Sequence, residues 1–192
     1  MLHIDAHYDT YGPVFGLYIH NGSFIRQAVD NGLIKGSDVI QVGLRGVGPA
    51  SDDLEWMRKN KLRFHMMSEI ERDGFSAVLD KVLKELKGKK VYISWDMDGL
   101  DPTVAPAVGT QSLGGLSFSE GARLLRTVAI QNEVVAIEFN EYNPMLDDAH
   151  QTTGTMMDRL MRSFLAGHAA RKKGITDPYY EDPERLDHGV ED

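Results

Sequence analysis

Apolar residues along this chain follow two different spacings. Short runs rich in β-branched residues alternate with longer segments in which apolar residues recur every three or four positions. Short apolar strands separated by helical segments are typical of a parallel sheet with crossover helices. The pattern therefore predicts the α/β class, with a mostly parallel sheet.

Five strands and five helices are predicted from this pattern. The strands are Leu2 to Ala6, Val39 to Leu44, Arg63 to Met67, Val91 to Trp95 and Val134 to Phe139. The helices are Ser23 to Asn31, Ser51 to Lys61, Glu69 to Leu86, Ser119 to Ile130 and Thr153 to Lys172. Capping boxes of the form Ser-x-x-Glu, at Ser68 with Glu71 and at Ser117 with Glu120, predict where two of these helices begin.

The length of the chain favours one domain. At 192 residues, of which 42% are hydrophobic and 26% charged, it can bury one sizeable core. Gly174 stands where a helix C-terminal cap is expected, and the acidic segment after it contains Pro178 and Pro183. We therefore expect an α/β domain over residues 1–174 and an extended acidic arm over residues 175–192.

The charge of the chain narrows the classes of partner. A formal net charge of −8 and scattered basic residues argue against binding to nucleic acid or to an anionic membrane, and they suit a small cationic substrate. No segment reaches the roughly 18 to 20 apolar residues needed to span a bilayer, and the N-terminus lacks the features of a signal peptide. The expected setting is cytoplasmic.

Two clusters of potential metal ligands follow predicted strands. Asp5, His7 and Asp9 come after the first strand, and Asp96 and Asp98 come after the strand that ends at Trp95. In an extended chain, residues two apart point to the same face, and open α/β sheets bind their ligands at the carboxyl ends of strands. Because the chain contains no cysteine, any metal must be held by oxygen and imidazole. Taken alone, the first cluster could also be a polar exit from a strand.

The motifs together resemble those of the ureohydrolases, the arginase and agmatinase family. The matching segments are Asp5-Ala6-His7-x-Asp9, Ser94-x-Asp96-x-Asp98-x-x-Asp101-Pro102 and Glu141-Tyr142-Asn143-Pro144, and the Gly109 to Leu116 stretch looks like a loop of agmatinase-like members. The resemblance covers Leu2 to about Gly167. It implies a three-layer α/β/α fold of the arginase and deacetylase type.

The resemblance also implies a metal centre with two divalent ions, Mn²⁺ in the first place and Ni²⁺ as the alternative. Asp5 and Asp96 would bridge the ions, Asp9 would bind the first ion, and His7 and Asp98 would bind the second. A hydroxide bridging the two ions would attack the guanidinium carbon of a linear amidine and release urea and an amine. The implied substrates are agmatine-like compounds or guanidino acids, and the implied assembly is a homotrimer or homohexamer.

Catalytic roles follow from the same resemblance. Glu141 would bind the guanidinium of the substrate, His20 would protonate the leaving amine, and Asp98 would serve catalysis as well as metal binding. His20 could instead be a surface residue that caps the helix starting near Ser23.

The remaining singled-out residues have structural interpretations. Tyr8 and Trp95 are expected to pack between sheet and helices, and Arg45, Asp52 and Asp53 are candidates for the pocket mouth. His3, His65, His150, His168 and His188 are interpreted as structural or solvated.

One ligand of the family pattern has no counterpart in this chain. Family members supply a further histidine to the first metal from a Gly-Gly-Asp-His segment that precedes the Asp-Ala-His-x-Asp motif, and no such segment is present. The fold is therefore expected to be incomplete at its N-terminus, with reduced or no turnover unless a complementing polypeptide restores the missing part.

Three other interpretations remain open at this stage. The chain could be a non-catalytic or truncated ureohydrolase subunit that contributes to an oligomer. It could be an amide deacetylase with a single Zn²⁺, or a Mg²⁺-dependent phosphotransferase that uses only Asp96 and Asp98.

Overall fold

The computed structural model describes residues 1–177, and within them five strands form one sheet. The strand order is β3-β2-β1-β4-β5, and every neighbouring pair is parallel. The strands are β1 (Leu2–Ile4), β2 (Ile40–Leu44), β3 (Arg63–Met66), β4 (Lys90–Asp96) and β5 (Glu133–Asn140). The predicted parallel α/β fold is confirmed. The predicted arm lies outside the described residues from position 178 onward.

Six α-helices connect or follow the strands within the described part. They are α1 (Phe24–Asp30), α2 (Ser51–Lys59), α3 (Met67–Asp73), α4 (Phe75–Leu86), α5 (Phe118–Gln131) and α6 (Thr152–Lys172). None of them is both long and apolar enough to cross a bilayer. The capping box at the start of α5 is confirmed, since Ser117 N–H donates to Glu120 at 2.8 Å and Glu120 N–H donates to Ser117 Oγ at 3.3 Å.

The single helix predicted over Glu69 to Leu86 is wrong, because two helices occupy that stretch. Gly74 lies between α3 and α4 with φ +86°, a left-handed conformation that ends the helical path and that glycine adopts without steric cost. The capping box predicted at Ser68 is wrong for a related reason. Helix α3 already begins at Met67, so Ser68 lies inside its first turn and Met66 occupies the cap position.

The core holds the central strands rigidly between helices. Leu2, Ile4 and Trp95 belong to one buried cluster, which they share with side chains of α4, α5 and α6. A second buried cluster includes Ile25 of α1, Leu44 of β2 and Met57 of α2, and it contains Tyr8. Tyr8 and Trp95 are therefore core residues, as predicted.

The register of β1 against β4 fixes the position of the polar residues that follow both strands. Ile4 lies opposite Trp95 in this parallel pair, so the chain continues into Asp5 and Asp96 at the same edge of the sheet. β1 is the middle strand of five and is fully buried. Both acidic residues therefore emerge from the most constrained part of the fold.

Strand β5 is the least covered strand of the sheet. Exposed residues alternate along it with half-buried ones, and Val135 is 57% exposed. Within residues 1–177, no strand pairs with its outer edge. Unpaired backbone N–H and C=O groups on such an edge can accept a further strand.

We predict that Gly167→Ala destabilises the protein by about 1–3 kcal/mol, as overpacking in a core does. Gly167 is buried in α6, and an added Cβ would clash with the backbone carbonyl oxygen of Arg126 in α5. Thermal unfolding measures the effect. Gly48→Ala is the matched control, because an added Cβ there meets nothing within 4 Å. Equal melting temperatures for the two variants would show that α5 and α6 do not pack as described.

Candidate metal centre

The first candidate ligand cluster lies on a turn that begins directly after β1. The strand ends at Ile4 and not at Ala6 as predicted, because the carboxylate of Asp5 accepts the backbone N–H of His7 at 2.6 Å and bends the chain. Asp9 has φ +50°, a conformation that aspartate tolerates better than most residues. A turn therefore brings the side chains of Asp5, His7 and Asp9 together. The sequence analysis had expected an extended strand, with the three side chains on one face.

The second cluster follows β4 in the same manner. Asp96 ends the strand, and its carboxylate accepts the backbone N–H of Asp98 at 2.8 Å at the start of a short 3₁₀ turn, Met97–Gly99. The carboxylate of Asp98 accepts the backbone N–H of Ala6 at 3.1 Å. This bond joins the segment that follows β1 to the segment that follows β4.

Two sets of potential ligand atoms are close enough to hold an ion each. One set is His3, Asp5 and Asp9, the other is Asp5, His7 and Asp98, and the atoms of each set all lie within 4.8 Å of one another. Asp5 belongs to both sets. A carboxylate offers two oxygens, so Asp5 stands where a ligand shared between two cations would stand.

Distances within the second set are short. His7 Nδ1 lies 3.0 Å from Asp98 Oδ2 and 3.3 Å from Asp5 Oδ1. Hydrogen bonds with Asp5 and Asp98 raise the pKa of His7 to about 10. The imidazole and both carboxylates therefore already converge on one point.

The electrostatics of the cluster fit a cation. Burial and the neighbouring carboxylates of Asp5 and Asp98 raise the pKa of Asp96 to about 9, and burial and Asp5 raise that of Asp9 to about 7. Burial also acts to raise the pKa of Asp5, but hydrogen bonds from His3 and His7 outweigh it and leave the pKa below its usual value. Positive charge is needed to keep all of these carboxylates ionised at neutral pH, and the oxygen and imidazole donors suit Mn²⁺ or Ni²⁺.

A cavity of about 500 Å³ opens above these residues. All seven of the predicted site residues line it: Asp5, His7, Asp9, His20, Asp96, Asp98 and Glu141. Thr110, from the predicted agmatinase-like loop, lines it as well. The structure thus brings together residues that lie up to 136 positions apart in the sequence, from Asp5 to Glu141.

Glu141 enters the cavity from the end of β5. Its backbone has φ +63°, and its Oε2 lies 3.2 Å from where a Cβ on Gly109 would be. A side chain at position 109 would press on this carboxylate. Gly109 therefore leaves room for Glu141 at the cavity wall.

His20 lies on the cavity wall but has a local partner. Its ring Nε2 lies 3.0 Å from the carbonyl oxygen of Gly12, and its backbone N–H donates to Ser23 Oγ at 3.0 Å. Ser23 precedes α1, so His20 lies at the start of this helical segment. Its position on the wall is compatible with both roles.

The interpretation of His3 as an ordinary structural or solvated histidine missed its position in the cavity. His3 is 1% exposed, lines the cavity and reaches Asp5 Oδ2 with its Nε2 at 3.0 Å. Its place two residues before Asp5 on a strand was an available signal, because such residues share a face. Glu138 and Asn140, which precede Glu141 on β5, line the cavity and were also missed.

Arg45 holds the loops around the second cluster. Its buried guanidinium donates only to backbone carbonyl oxygens, and these include Asp98 O at 2.6 Å and Ser112 O at 2.7 Å. The remaining acceptors are the carbonyl oxygens of Gly43, Gly99, Leu100 and Leu113. Arg45 therefore fixes the turn that carries Asp98 and the loop that follows Thr110.

Asp53 holds the loop after the first cluster. It pairs with Arg26 at 2.6 Å and accepts the backbone N–H of Gly12 at 3.0 Å, while Arg26 Nε donates to the carbonyl oxygen of Thr10 at 2.8 Å. Asp52 beside it is exposed. Of the candidates for the pocket mouth, Arg45 and Asp53 have defined supporting contacts.

Comparison with known proteins places these features in a family. Residues 1–167 match the model of the arginase family. The chain is 36% identical over 176 residues to N(1)-aminopropylagmatine ureohydrolase of Thermus thermophilus, covering 91% of this chain and 54% of the relative. It is 31% identical over 154 residues to guanidinobutyrase of Pseudomonas aeruginosa, covering 80% of this chain and 48% of the relative.

Structural comparison gives the same result. Proclavaminate amidino hydrolase from Streptomyces clavuligerus superposes with a TM-score of 0.78 at 29% identity, covering 88% of this chain and 55% of that chain. The chain thus spans about half the length of the relatives that it matches. The match over residues 1–167 shows that the chain belongs to the arginase family.

Proposed function

We propose that this protein is a metal-dependent hydrolase that cleaves a guanidino compound to urea and an amine. The observation that carries the proposal is the shared position of Asp5, which lies in both sets of ligand atoms at the floor of the cavity. The relatives named ureohydrolase and guanidinobutyrase support it. Neither a single-Zn²⁺ deacetylase nor a phosphotransferase accounts for both acidic clusters and Glu141.

The proposed centre holds two divalent ions, with Mn²⁺ preferred and Ni²⁺ as the alternative. Asp5 and Asp96 are the proposed bridging ligands, Asp9 the ligand of the first ion, and His7 and Asp98 those of the second. The bond from Ala6 N–H to Asp98 and the convergence of His7 on Asp98 support the second group. Asp96 belongs to neither compact set, but it leaves the sheet beside Asp5 and lines the same cavity, and these positions support its inclusion.

Two such ions would supply Lewis-acid activation of water and stabilisation of negative charge developing on the substrate. Glu141 is the proposed acceptor of paired hydrogen bonds from the planar guanidinium of the substrate, and its position in the same cavity as Asp5 and Asp98 supports this. His20 is the proposed donor of a proton to the leaving amine, and its position on the wall allows this.

The lining of the cavity bears on the substrate class. Among the described residues that line it there is no lysine and no arginine, whereas Asp5, Asp9, Asp96, Asp98, Glu138 and Glu141 are acidic. A guanidino acid would find no lysine or arginine for its carboxylate among the described residues of this wall. An agmatine-like compound, whose second end is also cationic, fits this surface better than a guanidino acid does.

A second candidate function is that of an incomplete subunit that acts only in an assembly. The uncovered edge of β5 favours it, together with the half-length match to relatives. Glu138, Asn140 and the strand that carries them would then contact either a complementing polypeptide or another copy in a homotrimer or homohexamer. In that assembly, the partner would supply the imidazole that family members provide from a preceding segment.

We predict that the purified chain binds two Mn²⁺ ions and that Asp5→Asn removes both at micromolar Mn²⁺, because the variant loses a charge that the two ions share. Isothermal titration calorimetry gives the stoichiometry. Asp52→Asn, an exposed carboxylate outside the cavity, is the control and should leave it at two. A wild-type chain that binds no Mn²⁺ would refute the proposed centre.

We predict that Glu141→Gln raises the KM for agmatine by roughly 10- to 100-fold, since a hydrogen bond to a charged group contributes about 1.5–3 kcal/mol. The bound Mn²⁺ should remain unchanged. Steady-state urea release measures KM, with Glu133→Gln on the same strand, outside the cavity, as the control. An unchanged KM would remove Glu141 from substrate binding.

We predict that the chain alone with Mn²⁺ releases urea from agmatine slowly, because the proposed ligands of the first ion, Asp5, Asp9 and Asp96, include no imidazole. Urea release with and without a polypeptide able to pair with β5 measures this. Turnover by the chain alone at the rate of full-length relatives would count against the incomplete-subunit interpretation.

A further inference from the structure

A buried row of polar side chains crosses the sheet beneath the candidate metal centre. Gln41 of β2 lies opposite His3 of β1, which lies opposite Ser94 of β4. Gln41 is 0% exposed, and His3 and Ser94 are 1% and 2% exposed. Burying polar groups in the middle of an apolar sheet costs free energy unless they are hydrogen-bonded. The hydrogen-bond partners of these side chains therefore indicate their role.

The orientation of the Gln41 amide follows from its contacts. Its Nε2 lies 2.7 Å from the backbone carbonyl oxygen of Tyr8 and 3.1 Å from Nδ1 of His3. A carbonyl oxygen can only accept a hydrogen bond, so the amide nitrogen must face Tyr8. The same NH₂ group has a second N–H, and that one points to His3.

This contact fixes the tautomer of His3. Because Nδ1 accepts a hydrogen bond from Gln41, the ring proton of the neutral imidazole lies on Nε2. Nε2 lies 3.0 Å from Oδ2 of Asp5 and 3.9 Å from Oδ2 of Asp9. His3 therefore donates to Asp5 from below, and no free lone pair of the ring faces the cavity.

We propose that Gln41 and His3 are positioning residues that fix the carboxylates of Asp5 and Asp9 for the first metal ion, and that His3 is not itself a metal ligand. Gln41 acts on both carboxylates. It orients Asp5 through His3, and it holds the Tyr8 carbonyl next to Asp9, whose backbone is in the left-handed region. The inference rests on the proposed function, since it assigns supporting roles at the same centre.

The competing assignment is that His3 supplies the imidazole of the first ion directly, because it belongs to one of the two compact ligand sets. The substitution His3→Gln distinguishes a positioning residue from a metal ligand. A His3→Gln side chain can still place an N–H donor near Asp5, but it lacks an imidazole nitrogen. His3→Leu offers neither.

The first experiment is a long-range ¹H–¹⁵N spectrum of the imidazoles in the metal-free protein. We expect His3 to show the Nε2–H tautomer alone. In Gln41→Leu, which removes the donor to Nδ1, we expect the ¹⁵N resonance of Nδ1 to shift toward that of a ring nitrogen without a hydrogen bond, while the bond to Asp5 keeps the proton on Nε2. An Nδ1–H tautomer in the unsubstituted protein would overturn the assignment.

The second experiment is calorimetric titration with Mn²⁺ alone. Groups that orient metal ligands typically contribute 10- to 100-fold to affinity. His3→Leu and Gln41→Leu should each weaken the binding of one Mn²⁺ ion by about that factor. The affinity for the other ion should stay unchanged. His3→Gln should stay within about 3-fold of the unsubstituted protein, as expected from its retained donor. Gln27→Leu is the control, because the Gln27 amide donates to the carbonyl oxygen of Tyr18 and belongs to neither ligand set.

Each outcome of this titration decides a separate point. Equal losses in His3→Gln and His3→Leu would make His3 a ligand and overturn the proposal, as would unchanged Mn²⁺ binding in His3→Leu and Gln41→Leu. Near-ultraviolet circular dichroism reports folding, and loss of fold in both of these variants would assign the pair to the core and overturn it too. Absence of Mn²⁺ binding in the unsubstituted protein would instead refute the proposed function and leave the tautomer result standing.

Discussion

The parallel pairing of β1 with β4 is the constraint on which the site depends. It places Ile4 opposite Trp95, so that Asp5 and Asp96 leave the sheet at the same edge. Both strands are buried in the middle of the fold, which prevents the two carboxylates from moving apart to relieve their repulsion. The raised pKa of Asp96 is the consequence, because burial and Asp5 both disfavour its charged form. A cation at the carboxyl ends of the two strands would turn this electrostatic cost into binding energy.

Much of the polar interior serves to hold this arrangement. Arg45 donates to carbonyl oxygens of the turn that carries Asp98, and the bond from Ala6 N–H to Asp98 ties that turn to the first cluster. On the other side, Gln41 and His3 reach Asp5 from below the sheet. None of these contacts adds apolar burial to the core. They restrict the positions of the acidic side chains, which is what a preorganised metal centre needs.

The sequence was sufficient to predict the parallel sheet and seven of the residues that line the cavity, because strand-end motifs such as Asp5-x-His7 and Asp96-x-Asp98 carry their own spacing. It could not predict how they meet. The turn that gathers the first cluster is visible only in the structure, where the Asp5 carboxylate accepts the N–H of His7. The break between α3 and α4 is likewise visible only in the positive φ of Gly74. The place of His3 two residues before Asp5 indicated a shared face, but its contact with Gln41, 38 positions away, has no local pattern in the sequence.

The central claim is that Asp5 is shared by two cations. A crystal structure with Mn²⁺ and anomalous scattering recorded at the manganese edge tests it most directly. We expect two peaks about 3.5–4 Å apart, one on each side of the Asp5 carboxylate, as in other two-metal hydrolytic sites. A single peak, or two peaks with Asp5 bound to neither, would contradict the account.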